Sequence, residues 1–443
     1  MRIQLSDHFT YKRLLQFVIS PILMMICTSL YSIVDGFFVS NYVGKTPFAA
    51  VNLVMPVCMA LGTIGTMIGT GGSAIVSQTL GEGKKEQANQ YFSMLVYFAV
   101  IFSIFLSVIG FAFARPIAIA LGATGELLEN CVVYSRLLYV ALTAFVLQNI
   151  FQSFFVTAEK PALSLKISII AGLTNIVLDF LFIAVFKWGI AGAAIATGLG
   201  QVVGGIIPAI YFAGKNDSLL RLTKAGFNGQ ILLKTFSNGS SEMVTNLSTS
   251  VVNILYNFQL MKLAGENGVA AYGIIMYVNF IFMAIFFGYS IGSAPIIGYH
   301  YGAGSYNELK NLFKKSLFLM GYAGIILTLL AELLTVPLVK IFASYDAELF
   351  AMTCHGFRLY SLAFIVMGTN VWGSSFFTAL GDGAVSAAIS FLRTLVFQIV
   401  VVLILPAFLG IDGIWLAIAA AEFLALIVTI FFFITKKKKY HYA

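Results

Sequence analysis

The 443-residue sequence has little charge and few of the residues that build disulfides, metal sites or catalytic motifs. Only 10% of its residues are charged, which excludes a soluble globular domain. The four cysteines lie in apolar stretches without metal-binding spacing, so we expect small buried side chains at Cys27, Cys58, Cys131 and Cys354. No Ser-His-Asp set, CxxC or HExxH motif is visible. We therefore expect neither an enzyme nor a bound cofactor.

Long apolar runs dominate the rest of the sequence, since 60% of the residues are hydrophobic and the mean hydropathy is +0.94. A run of about 20 apolar residues is long enough to cross a bilayer as a helix. The sequence predicts an all-α integral membrane protein with twelve transmembrane helices. The predicted spans are 12–39, 47–77, 91–120, 130–157, 162–186, 190–214, 231–262, 268–300, 309–342, 352–379, 384–409 and 412–435.

The first span is too long for a cleaved signal segment, so we expect it to remain in the membrane. Basic residues then fix the orientation. If the N-terminus is cytoplasmic, 18 of the 26 basic residues, from Arg2 to the run Lys436–Lys439, fall at the cytoplasmic face. We expect a multi-pass protein of a bacterial or archaeal cytoplasmic membrane with both termini inside. The net charge of +8 fits contact with anionic membrane lipids better than binding of nucleic acid.

The chain repeats itself with an offset of about 222 residues. At that offset Arg136 aligns with Arg358, and the pair Phe154–Phe155 aligns with Phe376–Phe377. The repeat predicts two pseudo-symmetric six-helix lobes, residues 1–214 and 231–443, joined by a cytoplasmic linker at 215–230. Because six is even, both lobes insert the same way up, as in the parallel repeats of some secondary transporters. Two lobes on one chain can enclose a pathway, so we expect a monomer.

Polar residues at membrane depth cluster in the first lobe. Asp35 lies in the first span, Asn175 and Asp179 share one face of the fifth, and Thr197 lies in the sixth. Their counterparts in the second lobe are Tyr256, Phe397, Val401 and Ile418. Helix direction places all four in the outer half of the membrane, where they can form one pocket. Acidic residues in such positions usually serve ion pathways, although polar residues between helices also act as packing contacts.

Other intramembrane residues carry weaker signals. Pro21 in the first span predicts a kink. Glu242 and Glu422 are predicted to face a cavity between the lobes, whereas Glu332 lies near a helix end. Arg393 is expected to reach the inner interface or to pair with an acid. Aromatic and methionine side chains that we predict to line the cavity are Tyr31, Tyr139, Tyr256, Met276, Trp372 and Phe376.

This combination of features resembles the multidrug and toxic compound extrusion (MATE) family, on its DinF-like and MepA-like side. The resemblance covers essentially the whole chain. It implies an exporter of amphipathic, mainly cationic drugs that works by alternating access of two lobes in exchange for H+ or Na+. By that likeness, the coupling-ion site consists of Asp35, Asn175, Asp179 and Thr197, and Pro21 bends the first helix. The sodium-coupled branch has an Asp in the tenth helix, where this sequence has Thr369 and Asn370.

Two other functions remain open from the sequence. A lipid-linked oligosaccharide flippase of the same superfamily shares the repeat but needs a basic cavity for a pyrophosphate, whereas the intramembrane charges here are mostly acidic. An intramembrane enzyme or sensor would need a catalytic motif around its acids or an extramembrane signalling domain, and neither is visible.

Overall fold

Apolar helices make up almost the whole fold. The computed structural model describes residues 3–344 and 346–443, so Arg2 lies outside the described residues. In chain order the helices are α1 (Tyr11–Phe38), α2 (Lys45–Gly81), α3 (Lys85–Ala120), α4 (Gly125–Thr157), α5 (Pro161–Asp179), α6 (Gly189–Ala213), α7 (Gly229–Gly302), α8 (Tyr306–Ala343), α9 (Ala347–Ser361), α10 (Phe364–Ala379), α11 (Gly383–Phe391), α12 (Phe397–Leu409) and α13 (Ile411–Tyr440).

Helix starts follow local sequence signals. The Thr10 side chain accepts a hydrogen bond from the Arg13 amide at the start of α1, and Pro161 stands in the first turn of α5. The Asn228 side chain accepts from two amides at the start of α7. Between Ala213 at the end of α6 and Gly229 at the start of α7 the chain has no regular helix.

In the part of the chain that the structure describes, ten helices are long and apolar enough to cross a membrane, and the bent pair α9 and α10 raises the number of spans to eleven. α7 has 74 residues, about 110 Å at 1.5 Å per residue, far more than one bilayer crossing. It is interrupted at Gly265, whose φ of 61° and ψ of −150° are not helical, so α7 supplies two spans. α9 and α10 are bent by 52° and together supply one. The break in α7 therefore accounts for the difference between these eleven spans and the predicted twelve.

Three π-helical turns interrupt the α-helical pattern within the described residues. They are Val39–Val43 after α1, Phe180–Val185 after α5 and Leu392–Val396 between α11 and α12. The first begins four residues after Asp35, the second directly follows Asp179, and the third contains Arg393. A π turn changes the direction in which the following side chains point and is frequent at functional sites. Here each π turn adjoins a charged residue inside a membrane span.

The first lobe (α1–α6) and the second lobe (α7–α13) pack closely at the end of the molecule that carries both chain termini, which we call the termini end. A Cβ added at Gly71 of α2 would overlap the Thr235 carbonyl oxygen of α7. A Cβ added at Gly81 would likewise overlap the carbonyl oxygen of Tyr299. Only glycine permits such backbone contact. Across the same interface the Gln78 side chain donates to the Ala379 carbonyl at 2.7 Å.

Two glycines away from the termini end, one in each lobe, have open space beside them. Among the described residues, nothing lies within 4 Å of a Cβ added at Gly36, in the far half of α1. The same is true at Gly273, in the second span of α7. The glycine contacts described above therefore place the closest backbone packing of the two lobes at the termini end.

Residues 3–10, which we call the N-terminal strap, cross the termini end. The Leu5 amide donates to the Glu159 carboxylate of the first lobe at 2.7 Å. The Phe9 amide donates to the Glu308 carboxylate at the start of α8 at 2.9 Å, and Lys315 donates to the Phe9 carbonyl at 2.6 Å. Leu5 and Phe9 are fully buried. The strap thus joins the two lobes.

Candidate ion-binding site and central cavity

The four predicted coupling residues lie together inside the first lobe. Asp179 is 0% exposed, Asn175 4% and Asp35 8%. The Thr197 hydroxyl donates to the Asp35 carboxylate at 3.3 Å, and the Asp35 carboxyl also interacts directly with Asp179 and Asn175. α1, α5 and α6 therefore bring these side chains into one cluster, which we call the carboxyl site.

The carboxyl site contains polar atoms that lack partners. Both carboxyl oxygens of Asp179 and both polar atoms of the Asn175 amide are buried without a hydrogen bond from any described residue. Buried polar atoms are normally paired, and a charged one without a partner is strongly unfavourable. Two facing carboxylates cannot hydrogen-bond to each other unless a proton lies between them. The arrangement thus suits a proton or a small cation with oxygen ligands.

Tyr134 of α4 is a neighbour that sequence reasoning missed. Its side chain is fully buried, and its hydroxyl has no hydrogen-bond partner in the described part of the chain. The phenol interacts electrostatically with both Asp35 and Asp179 and lies beside Thr197. A tyrosine within an apolar span is too common in such a sequence to mark a site.

A chamber of about 130 Å³ opens beside the carboxyl site. Its walls are formed by α1, α2, α4, α5 and α6. Small lining residues such as Ala171 and Gly200 leave its volume unfilled. Its polar and small lining residues include Tyr31, Asp35, Gln148, Ala171, Asn175, Thr197, Gly200 and Gln201. The predicted cavity residue Tyr31 therefore belongs to this chamber.

A larger cavity of about 250 Å³ lies between the two lobes. α1, α2 and α4 line it from the first lobe, and α7, α10 and the π turn after α11 line it from the second. Glu242 lies in its wall, together with hydroxyl and amide side chains such as Thr28 and Asn149. Arg393 also reaches this wall. The cavity thus has one acidic and one basic residue on the second-lobe side.

The prediction that aromatic residues of the second lobe line the cavity is wrong for three of them. Trp372 and Phe376 are fully buried and pack with Phe313, Phe433 and Tyr442. Tyr256 is 2% exposed, stacks on Tyr272 and donates its hydroxyl to Gln398. These rings fill the lobe interior because dense packing, rather than access to a ligand, accounts for most large side chains in helical cores.

Two other predicted lining residues also pack within the lobes. Met276 is part-buried against the second-lobe core. Tyr139 is 1% exposed and lies against Gly110, with its edge at a small cavity of about 20 Å³ in the first lobe.

Glu422 does not face the cavity either. It is 1% exposed, and its carboxylate accepts a hydrogen bond from Arg393 at 2.8 Å and from the Asn370 amide at 2.8 Å. The acid that pairs with Arg393 is therefore Glu422, which the sequence did not identify. Arg393 pairs with Glu422 because a buried arginine at membrane depth requires a compensating negative charge.

Pro21 lies in a continuous α1, which runs from Tyr11 to Phe38 without a break. Its carbonyl and the Ile22 backbone touch Gly288 of α7 so closely that an added Cβ would not fit. Pro21 thus stands at the interface of the lobes. Its predicted role in bending α1 stays a prediction.

The fold and the buried acids define a class: a two-lobed, multi-pass membrane protein of the transporter type. The MatE family model matches residues 21–181 and 243–404, once in each lobe, so the chain belongs to the MatE family. The Multidrug export protein MepA of Staphylococcus saprophyticus is 22% identical over 413 residues, which cover 93% of this chain and 91% of that protein. MepA of Staphylococcus aureus is also 22% identical, over 419 residues that cover 94% and 92%.

Solved structures agree with this assignment at the level of the fold. A crystal structure of MATE in complex with MaL6 matches with a TM-score of 0.93 and 21% identity, covering 98% of both chains. An outward-facing multidrug resistance MATE family transporter of the MOP superfamily matches with a TM-score of 0.93 and 22% identity, also over 98% of both.

Proposed function

We propose that this protein is an antiporter that exports amphipathic, mainly cationic drugs and takes up H+ or Na+ in exchange. Membership of the MatE family and the multidrug export relatives support the general activity. The two coupled steps need separate binding places, one for the ion and one for the drug. The carboxyl site and the central cavity are our candidates.

One observation carries the ion-coupling part of the proposal. Asp179 and Asn175 bury unpartnered polar atoms directly beside a second carboxyl group, Asp35. A fold that needed these residues only for packing would satisfy them with donors from neighbouring helices. An exchangeable proton or cation satisfies them part of the time, which is what a transport cycle requires. Neutral Asn and Thr oxygens complete a ligand set that suits Na+ as well.

Two helices connect the ion site to the drug cavity. On α1, Thr28 lines the cavity and Asp35 lines the chamber, about 10 Å further along the helix. On α4, adjacent residues Asn149 and Gln148 line the cavity and the chamber respectively. Ion binding at Asp35 and Asp179 would therefore shift the helices that form the cavity wall. Glu242, in that wall, supplies negative charge for a cationic drug.

We further propose the topology and state of the protein. Both termini are cytoplasmic because positive charge is concentrated at that face, in a bacterial or archaeal cytoplasmic membrane. The termini end is then the inner end, and the conformation described above is outward-open. Residues 1–214 and 231–443 are the two lobes that rock against each other, linked by 215–230. A monomer suffices for the cycle.

A lipid-linked oligosaccharide flippase is the second candidate. It would need several unpaired basic side chains in the cavity to hold a pyrophosphate. Arg393 is the basic residue of the cavity wall, and Glu422 already neutralises it. The charge of the cavity therefore favours a cationic substrate.

Replacement of Asp179 by Asn tests the proposal. The change keeps the shape of the side chain and removes the charge that holds the coupling ion, so dye efflux should fall to the level of empty liposomes. Purified protein in liposomes would be assayed for ethidium transport with a pH gradient and a Na+ gradient imposed separately. The gradient that drives the wild-type protein identifies the coupling ion.

Asp412→Asn is the matched control, because Asp412 is an exposed acid paired with His355 outside the carboxyl site. This variant should transport as the wild type does. Full, gradient-dependent efflux by Asp179→Asn would disprove the assignment of the ion site. Gradient-driven flipping of a lipid-linked oligosaccharide, without dye efflux by the wild type, would favour the second candidate.

A further inference from the structure

A buried ion pair in the second lobe has all its charged oxygens satisfied. Arg393 is 6% exposed and Glu422 1%, and the Arg393 guanidinium donates to one Glu422 oxygen at 2.8 Å. The Asn370 amide donates to the other oxygen at 2.8 Å, and the Thr429 hydroxyl donates to the Asn370 carbonyl at 3.0 Å. The carboxyl site of the first lobe, in contrast, keeps unpartnered oxygens.

The internal repeat relates this ion pair to the chamber of the first lobe. In the last helix, the offset of 221 that pairs Thr197 with Ile418 makes Glu422 the counterpart of Gln201. With the offset of 222, Asn370 corresponds to Gln148 and Arg393 to Ala171. The family match begins at residue 21 in one lobe and at 243 in the other, which gives the same offset. All three first-lobe counterparts line the chamber of about 130 Å³. By the repeat, Arg393 and Glu422 stand at positions equivalent to residues that line the first-lobe chamber.

We propose that Arg393 acts as a built-in cation that occupies the second-lobe equivalent of the ion chamber, so that only the first lobe exchanges a coupling ion. Glu422 is the anionic ligand of this latent cation site, and Asn370 supports it. This inference deepens the proposed function and rests on it.

The chemistry of arginine suits this role. A guanidinium keeps its charge under all physiological conditions and is covalently attached, so it can neither be released nor replaced by a transported ion. The π turn Leu392–Val396 contains Arg393, and such a turn alters which face of the span a side chain occupies. Glu422 also lies near the phenols of Tyr256 and Tyr360. Arg393 is therefore the permanent positive charge that faces it.

Removal of the arginine should convert the latent site into a working one. In Arg393→Met, Glu422 loses its counter-charge and must bind a proton or Na+ from solution. Infrared difference spectra between alkaline and acidic pH should then show one additional protonated-carboxyl band per chain. That band should be absent from the wild type, from Arg393→Lys, which keeps a cation, and from Arg393→Met/Glu422→Gln, which lacks the acid.

Failure of folded, monodisperse Arg393→Met to gain a proton or Na+ that depends on Glu422 would overturn the inference. If Arg393→Met does not fold, the neutral pair Arg393→Met/Glu422→Gln still tests it through the ion-to-drug ratio, measured from the reversal potential in liposomes. We expect the wild-type ratio. A ratio lower by one ion would show that Glu422 exchanges an ion, which contradicts the inference.

The inference about Arg393 and the proposed function can be disproved separately, because different experiments test them. Asp179→Asn tests the first-lobe site in dye transport, whereas the infrared experiment detects protonation of Glu422 without any transport.

Discussion

At the scale of single residues, two buried carboxylates of this protein have opposite surroundings. Glu422 accepts hydrogen bonds from a guanidinium and an amide, whereas Asp179 accepts none from the described residues and lies beside a second carboxyl group, Asp35. Removing one member of a buried ion pair is costly because the other charge stays buried and uncompensated. Removing an acid that has no partner relieves an unfavourable burial instead. Loss of the Glu422 charge should therefore reduce stability, whereas loss of the Asp179 charge should not.

Thermal unfolding in detergent checks this separation. Glu422→Gln should lose about 3 kcal/mol or more of stability, because Arg393 is left buried without a counter-charge. Asp179→Asn should keep or gain stability, although we expect it to abolish transport. Arg393→Met/Glu422→Gln should recover much of the loss seen in Glu422→Gln. Equal destabilisation of Glu422→Gln and Asp179→Asn would contradict the distinction.

Sequence reasoning located the carboxyl site because its residues are polar where the repeat partner is apolar. It could not pair Arg393 with Glu422. The two lie 29 positions apart on different spans, and the π turn at Leu392–Val396 changes the direction of Arg393 in a way that helical periodicity does not predict. Tyr134 escaped notice for a different reason, since its polarity is confined to one hydroxyl group.

At the scale of helices, close backbone contact between α2 and α7 closes the termini end. Gly71 meets Thr235 and Gly239 of α7, and Gly239 in turn meets Met67 of α2. Such contacts leave no room for a side chain at Gly71 or Gly239, so a larger residue at either position would force α2 and α7 apart. The spans themselves were predictable from hydropathy, since length and apolar content decide them. The packing of Trp372 and Phe376 was not, because composition does not show which face of a helix a ring occupies.

Gly71→Leu should weaken closure of the termini end. Overpacking costs about 1 to 3 kcal/mol, and in this position the cost falls on the closed state alone, because separation of the lobes relieves it. Distances between spin labels at Lys84 and Lys310 should shift to longer values. Gly273→Leu, where a side chain meets open space, is the matched control and should leave them unchanged. Unaltered distances in Gly71→Leu would refute this account of closure.

At the scale of the whole molecule, the N-terminal strap adds a connection that the repeat does not supply. It contacts the first lobe through Glu159 and the second through Glu308 and Lys315. The strap can hold both sets of contacts only while the lobes stay close at the termini end. It therefore stabilises the state described here over the one in which that end opens.

Glu308→Gln should favour opening of the termini end. The substitution removes the charge that accepts hydrogen bonds from the Phe9 amide and from Asn311. Hydrogen bonds to charged groups contribute about 1.5 kcal/mol or more, enough for a roughly tenfold change in the ratio of the two states. Labelling of a cysteine placed at Gln78, which this interface covers, should become faster.

Glu348→Gln, which alters an exposed acid at the start of α9, is the control and should label at the wild-type rate. Slower or unchanged labelling in Glu308→Gln would show that the strap does not restrain the lobes.

The buried position of Leu5 and Phe9 has a practical consequence for anyone who engineers this transporter. A reporter or purification tag fused directly to the first residues would disturb a segment that contacts both lobes. Such a fusion would alter the cycle it is meant to observe. A flexible spacer between the tag and the strap, or attachment at an exposed loop, would avoid this disturbance of the transport cycle.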